Sequence, residues 1–202
     1  AIIDTGVQAN HPFFQDRVVL EACFSTRCPN GSSSMIGPGA ATPVHWHGTH
    51  VAGIAAGYSQ TMSGVAPAAK IIAINIFDSI GQAYDDDIIK ALQWIDSISS
   101  SYNISSVNMS LGGNYIFKST CDNYVPEMTD IIKKLRDKNI ATIVSAGNEY
   151  AAGMSSPACI SYAVSVAATD LNRNKTSFSN ASNLTTIAAP GYQINSSKTS
   201  SS

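Results

Sequence analysis

The residues able to do chemistry fall in three short strings. His47 stands in His47-Gly48-Thr49-His50-Val51-Ala52-Gly53, a small-residue run that opens a helix, so its imidazole can face a cleft. Asp4 closes Ala1-Ile2-Ile3-Asp4-Thr5-Gly6, and Asn148 follows Ser145-Ala146-Gly147. A carboxylate that accepts an imidazole Nδ1–H fixes the tautomer and stabilises the imidazolium formed during reaction. An Asn amide can donate to the oxyanion of a tetrahedral intermediate. Acid, base and amide are parts of an acyl-transfer site. Each has a plainer reading by itself: a strand-closing turn for Asp4, a Gly-Asn turn for Asn148, and a solvated or core histidine.

Two other groups of residues invite a chemical reading. His45, His47 and His50 have the His-x-His and His-x-x-His spacings that can supply metal ligands. No Asp or Glu lies within that cluster, and no His-Glu-x-x-His string occurs, so the spacing favours a general base over a metal site. Ser110-Leu111-Gly112-Gly113 leaves a strand with little side-chain bulk, as a plain loop or as an edge on which an extended peptide adds through its main chain.

These residues need a scaffold. Ile2-Ile3 reads as a short strand stopped at Asp4-Thr5-Gly6. Residues 21–44, rich in Ser, Gly and Pro, read as a long surface loop. A helix is expected from His47 to Ala56 with Gly57 as its stop. Lys70 to Ile76 is a nearly continuous apolar run, as in a strand buried on both faces. Tyr84 to Ile98 has helical spacing, with Ile88, Leu92, Ile95 and Trp94 facing inward. The Asp85-Asp86-Asp87 run in its first turn could read as a metal cluster, but charge complementing the helix dipole is the favoured reading. Further strands are expected at 105–110, 140–145, 162–168 and 184–188, with an amphipathic helix over Met128–Lys138. Alternating strands and helices predict an α/β fold: a mainly parallel central sheet covered by helices on both faces. In such sheets ligands bind outside the carboxyl ends of the strands, which is where Asp4, Ser110 and Asn148 are expected.

The chain has 202 residues, 44% hydrophobic and 13% charged, with a net charge of −2. One domain is expected, 1–202, with no interdomain linker or internal repeat. No basic patch favours nucleic acid, and no apolar run approaches the ~20 residues of a membrane span. The four cysteines, Cys23, Cys28, Cys121 and Cys159, favour an exported protein with two disulfides, and three connectivities are open.

Asp4-Thr5-Gly6, His47 to Gly53, Asn108-Met109-Ser110-Leu111-Gly112-Gly113 and Ser145-Ala146-Gly147-Asn148 resemble four signature segments of the subtilisin-like serine proteases, in the family's order. Gly64-Val65-Ala66-Pro67 and Ala189-Pro190-Gly191 resemble two supporting ones. The resemblance implies the three-layer subtilisin fold and an endopeptidase acting on polypeptides, secreted and monomeric, of a bacterial type. It implies Asp4 as orienting carboxylate, His47 as general base and acid, and Asn148 as oxyanion donor. Ser110, Leu111 and Gly112 would line the substrate strand, with Ala146 and Gly147 on the opposite pocket wall. His50 would be structural. By the same resemblance Cys23 pairs with Cys28, and Cys121 with Cys159.

The chain also departs from the family pattern. Trp46 stands where a small residue usually precedes the catalytic histidine. The segment between Gly57 and Gly64 has no room for a calcium loop, and Thr186 occupies a position where a second calcium site uses aspartate, so no metal or cofactor is expected. The sequons at Asn174 and Asn180 are those a Ser/Asn-rich chain carries by chance. The family's nucleophile string, Gly-Thr-Ser-Met-Ala, does not occur. Ser196, Ser197 and Ser200 to Ser202 lie in loop-like sequence and are assigned no such role. Both ends read as cut, which makes the chain a partial peptidase domain, inactive alone. Two alternatives are a catalytically dead subtilase-like domain that binds peptides and a histidine-metal hydrolase on another α/β fold.

Overall fold

The computed structural model describes residues 1–199, so Ser200–Ser202 lie outside the described residues. The chain forms two compact units, Ala1–Ile95 with the segment from Asn195 onward, and Asp96–Ile194.

The first unit opens on β1 (Ile2–Asp4), followed by a 3₁₀ turn at Pro12–Phe14, β2 (Val18–Phe24), β3 (Ser34–Ile36), α1 (His47–Ala56) and β4 (Ile71–Asn75). Helix α2 (Asp85–Ile98) follows, and the division between the units falls within it. The strands run in the order β3-β2-β4-β1. β1 and β2 both pair in parallel with β4, and β3 runs antiparallel to β2. Every residue of β4 is buried, which is why its sequence is a continuous apolar run rather than an alternation. Asp4 pairs in register with Asn75, so the carboxylate stands at the carboxyl end of β1.

Residues 21–44 are not one long loop. Glu21–Phe24 belong to β2, and Ser34–Ile36 form β3. The Ser, Gly and Pro density concealed them. The strand character of β2 comes from its ladder to β4, from Val18↔Ile71 to Cys23↔Asn75. Its charged residue, Glu21, accepts the backbone N–H groups of Gly39 and Ala41 through its carboxylate. The Cys23–Cys28 disulfide pins the turn between the two strands.

Small residues let α1 lie close to β1. Ala52 and Ala56 join Ile2, Val7, Phe14, Ile71 and Ala73 in one buried cluster. Ile88, Leu92 and Ile95 are the inward stripe of α2, and each buried aliphatic side chain contributes about 1.5–3 kcal/mol. Trp94 packs against Phe24 with ring centroids 6.0 Å apart.

The second unit contains β5 (Ser106–Met109), β6 (Ile116–Phe117), α3 (Pro126–Asp137), β7 (Ala141–Ser145), β8 (Met154–Ser155), β9 (Val164–Thr169) and β10 (Ile187–Pro190). β5, β7, β9 and β10 form consecutive parallel pairs, and β6 and β8 make a small antiparallel ribbon. Helix α3 begins two residues before the expected Met128, with Pro126 in its first turn, where the missing N–H costs nothing. Its face of Met128, Ile131, Ile132 and Leu135 is buried. Burial would raise the Asp96 pKa, but hydrogen bonds from Lys134 and Lys138 hold it below the usual carboxylate value. The Cys121–Cys159 disulfide closes a sequence separation of 38 residues.

Candidate active site

Asp4 and His47 meet in the first unit. Asp4 is 1% exposed, and its Oδ1 lies 2.7 Å from His47 Nδ1. The same oxygen accepts the backbone N–H of Thr5 at 2.7 Å. That second bond holds the carboxylate in place facing the imidazole. His47 is the first residue of α1, and its side chain remains 38% exposed. The hydrogen bond that His47 donates to Asp4, reinforced by the carboxylate's charge, raises the His47 pKa above the ordinary histidine value and outweighs the opposite pull of burial. With Nδ1–H directed at Asp4, neutral imidazole carries its free lone pair on Nε2.

Two further features allow this contact. Gly48 has no Cβ, and one placed there would lie 2.1 Å from the Gly6 carbonyl oxygen and 3.1 Å from Asp4 Oδ1. Only glycine permits α1 to start this near β1. Thr5 ties the two elements together: its hydroxyl accepts the Gly48 N–H at 2.9 Å and donates to the His45 carbonyl at 3.1 Å. Thr5 is a supporting residue that appears in the sequence only as part of a strand-ending turn.

The three clustered histidines do not converge on one point. His47 Nδ1 faces Asp4, and His45 Nδ1 accepts the His47 backbone N–H at 3.3 Å. His50 lies one turn into α1 and meets Trp46 edge-on at 5.5 Å between ring centroids. The geometry therefore gives His47 a carboxylate partner, and among the described residues no group of three or more His, Cys, Asp or Glu side chains could hold a metal ion.

The second unit brings the other predicted residues together. β5 and β7 pair in parallel up to Met109↔Val144, so Ser110–Gly112 and Ala146–Asn148 leave the same end of neighbouring strands. Ser145 Oγ donates to the Leu111 carbonyl at 3.2 Å. Asn108 Nδ2 donates to Ser110 Oγ at 3.0 Å. Asn148 is exposed. Gly147 has φ +109°, a conformation that disfavours any side chain.

Asn180 holds this turn, and nothing in the sequence marks it beyond a chance sequon. It is fully buried. Its Oδ1 accepts the N–H groups of Glu149 and Ala151 at 3.0 and 2.8 Å. Its Nδ2 donates to the Ala146 carbonyl at 3.1 Å and to the Glu149 carboxylate. One amide thus fixes both sides of the segment carrying Gly147 and Asn148. Both cysteine pairs are bonded, Cys23 to Cys28 and Cys121 to Cys159.

The profile of the subtilase family matches residues 1–202. The chain belongs to the subtilase family. Subtilisin-like protease 3 of Pseudogymnoascus destructans is 36% identical over 197 residues, covering 96% of this subtilase and 43% of that protein. Thermitase of Thermoactinomyces vulgaris is 32% identical, covering 96% of this subtilase and 63% of its own length. A crystal structure of a cold-adapted subtilisin-like serine proteinase superposes with a TM-score of 0.73 at 26% identity, covering 98% of this subtilase and 64% of that chain. The subtilase described here therefore has the subtilisin-like α/β fold, a mainly parallel sheet with helices, and spans about half the length of several of its curated relatives. No helix among the described residues is long and apolar enough to cross a membrane.

Proposed function

We propose that this chain supplies the proton-transfer and substrate-holding parts of a serine endopeptidase. The observation that carries the proposal is the 2.7 Å contact between buried Asp4 and half-exposed His47. Asp4 holds the tautomer in which Nε2 is the base. Nε2 takes the proton of a serine hydroxyl as that oxygen attacks the peptide carbonyl, and Asp4 stabilises the resulting imidazolium. His47 then returns the proton to the leaving amine. Asn148 donates from its side-chain amide to the developing oxyanion, a contact of a kind worth about 10²–10³ in turnover. Ser110, Leu111 and Gly112 hold the substrate main chain, with Ala146 and Gly147 as the facing pocket wall.

The nucleophile is assigned to none of the described serines. Ser196 Oγ donates to the His50 carbonyl and Ser197 Oγ to the Thr49 carbonyl, so both hydroxyls are engaged on α1. We infer that these 202 residues alone turn peptides over negligibly. The two disulfides support an oxidising compartment, hence an exported enzyme.

The test compares the full-length protein with the 202-residue chain, using a fluorogenic peptide and a serine-directed phosphonate. The full-length protein should cleave the peptide and be blocked, and His47→Ala should abolish turnover. The 202-residue chain should do neither. Strong hydrolysis by that chain would refute the missing nucleophile. A full-length protein that binds peptides without cutting them would replace the endopeptidase with a peptide-binding domain.

A further inference from the structure

We propose that Arg27 makes a cleft beside the Asp4–His47 pair into a subsite for an acidic side chain of the polypeptide substrate. The proposal rests on the endopeptidase reading above. The cleft lies in the first unit and encloses about 420 Å³ between Arg27, Pro29, Pro43, Val44, Asn75 and Ser79.

Two of its lining residues, Val44 and Asn75, adjoin the Asp4–His47 pair. Val44 donates its backbone N–H to the Thr5 carbonyl at 2.9 Å, next in chain to Asp4, and lies three residues before His47. Asn75 is the strand partner of Asp4. A peptide engaged at His47 therefore passes within side-chain reach of this cleft.

Arg27 is the one charged residue lining the cleft among the described residues. It is exposed, and no carboxylate pairs with it among the described residues. The nearby carboxylate of Asp78, adjoining Ser79, is engaged by the backbone N–H groups of Ile80 and Gln82. The loop that presents Arg27 is held in place. The Cys23–Cys28 disulfide spans it, and the Cys28 N–H donates to the Ser32 carbonyl at 2.7 Å. An unpaired guanidinium on a pinned loop is a preformed donor site for a carboxylate, which it can bind through two parallel N–H···O bonds. The other lining residues named above are uncharged, so the cleft favours an acid over a lysine.

The experiment measures kcat/KM of the full-length protein on fluorogenic peptides in which Glu, Gln or Lys is stepped through each position around one scissile bond. At one position Glu should exceed Gln by about threefold to fivefold, the range of an exposed ion pair. The preference should vanish in Arg27→Gln, reverse toward Lys in Arg27→Glu, and shrink between about 50 mM and about 500 mM salt. Unchanged Glu-to-Lys ratios at every position in Arg27→Glu, with the Gln peptides still cut, would overturn the subsite. A wild-type protein that cuts none of the peptides would refute the endopeptidase reading, and this subsite with it.

Discussion

Replacing Asp4 by Asn tests the central contact directly. Asp4 Oδ1 accepts two bonds of 2.7 Å, from Thr5 N–H and His47 Nδ1–H. Asp4 Oδ2 is buried with no hydrogen-bond partner among the described residues. An asparagine that keeps both bonds through its oxygen must place its amide at the Oδ2 position, where an unpaired buried donor costs about 1–3 kcal/mol. The lost negative charge adds a pH-dependent part. A hydrogen bond to a charged partner contributes about 1.5–3 kcal/mol, but His47 is 38% exposed, and solvent screening reduces that to about 1 kcal/mol. The sign follows from the raised His47 pKa. The imidazolium–carboxylate contribution is fully present below the unfolded histidine value of about 6.5 and is lost as pH rises through the folded value. Urea unfolding should therefore show Asp4→Asn about 2–4 kcal/mol less stable at about pH 5.5, with the gap about 1 kcal/mol smaller at about pH 9. An NMR titration of the imidazole should show the His47 pKa falling in the variant, because burial remains while the carboxylate is gone. If the full-length protein has the proposed endopeptidase activity, its turnover should drop about 10⁴-fold, or about 5.5 kcal/mol. A His47 pKa unchanged by the substitution, or a stability gap that widens toward high pH, would refute the coupling.

Gly48→Ala puts a Cβ 2.1 Å from the Gly6 carbonyl and should part α1 from β1. The same titration should show a lowered His47 pKa, with a stability loss of about 1–3 kcal/mol for overpacking. Asn180→Ala removes the amide that binds Glu149, Ala151 and Ala146 and should cost about 2–4 kcal/mol, read by urea unfolding, with faster hydrogen exchange confined to residues 146–151. Replacing the cysteine pairs by serine should cost about 2 kcal/mol for Cys23–Cys28 and about 4 kcal/mol for Cys121–Cys159, since loop entropy grows with the separations of 5 and 38 residues. Equal losses for the two pairs in thermal unfolding would contradict that ranking.

What the sequence determined by itself is local. The helix of His47–Ala56 and the stripe of Ile88, Leu92 and Ile95 follow from short-range spacing, and the buried run at Ile71–Asn75 needs no partner to be recognised. The strings around Asp4, His47 and Asn148 are likewise recognised locally, and the roles proposed for them rest on the family resemblance. Strand β2 was not legible, because Glu21 and the Ser/Gly-rich sequence after it hide a strand that exists through its ladder to β4. The cysteine pairing was open from the residues alone and is decided by Cα separations of 5.8 and 5.4 Å. Asn180 carried no signal beyond a chance sequon: the four contacts of its side chain run to residues 29 to 34 positions away. Nor could the residue order place Arg27 at the rim of a cleft that Val44 and Asn75 also line. In the sequence Asp4 is a turn aspartate. It becomes the partner of His47, 43 residues away, only because Gly48 lets α1 begin against β1. Spacing and residue type act over one or two turns of chain, whereas a buried hydrogen bond between distant segments exists only once the sheet and its helices have packed.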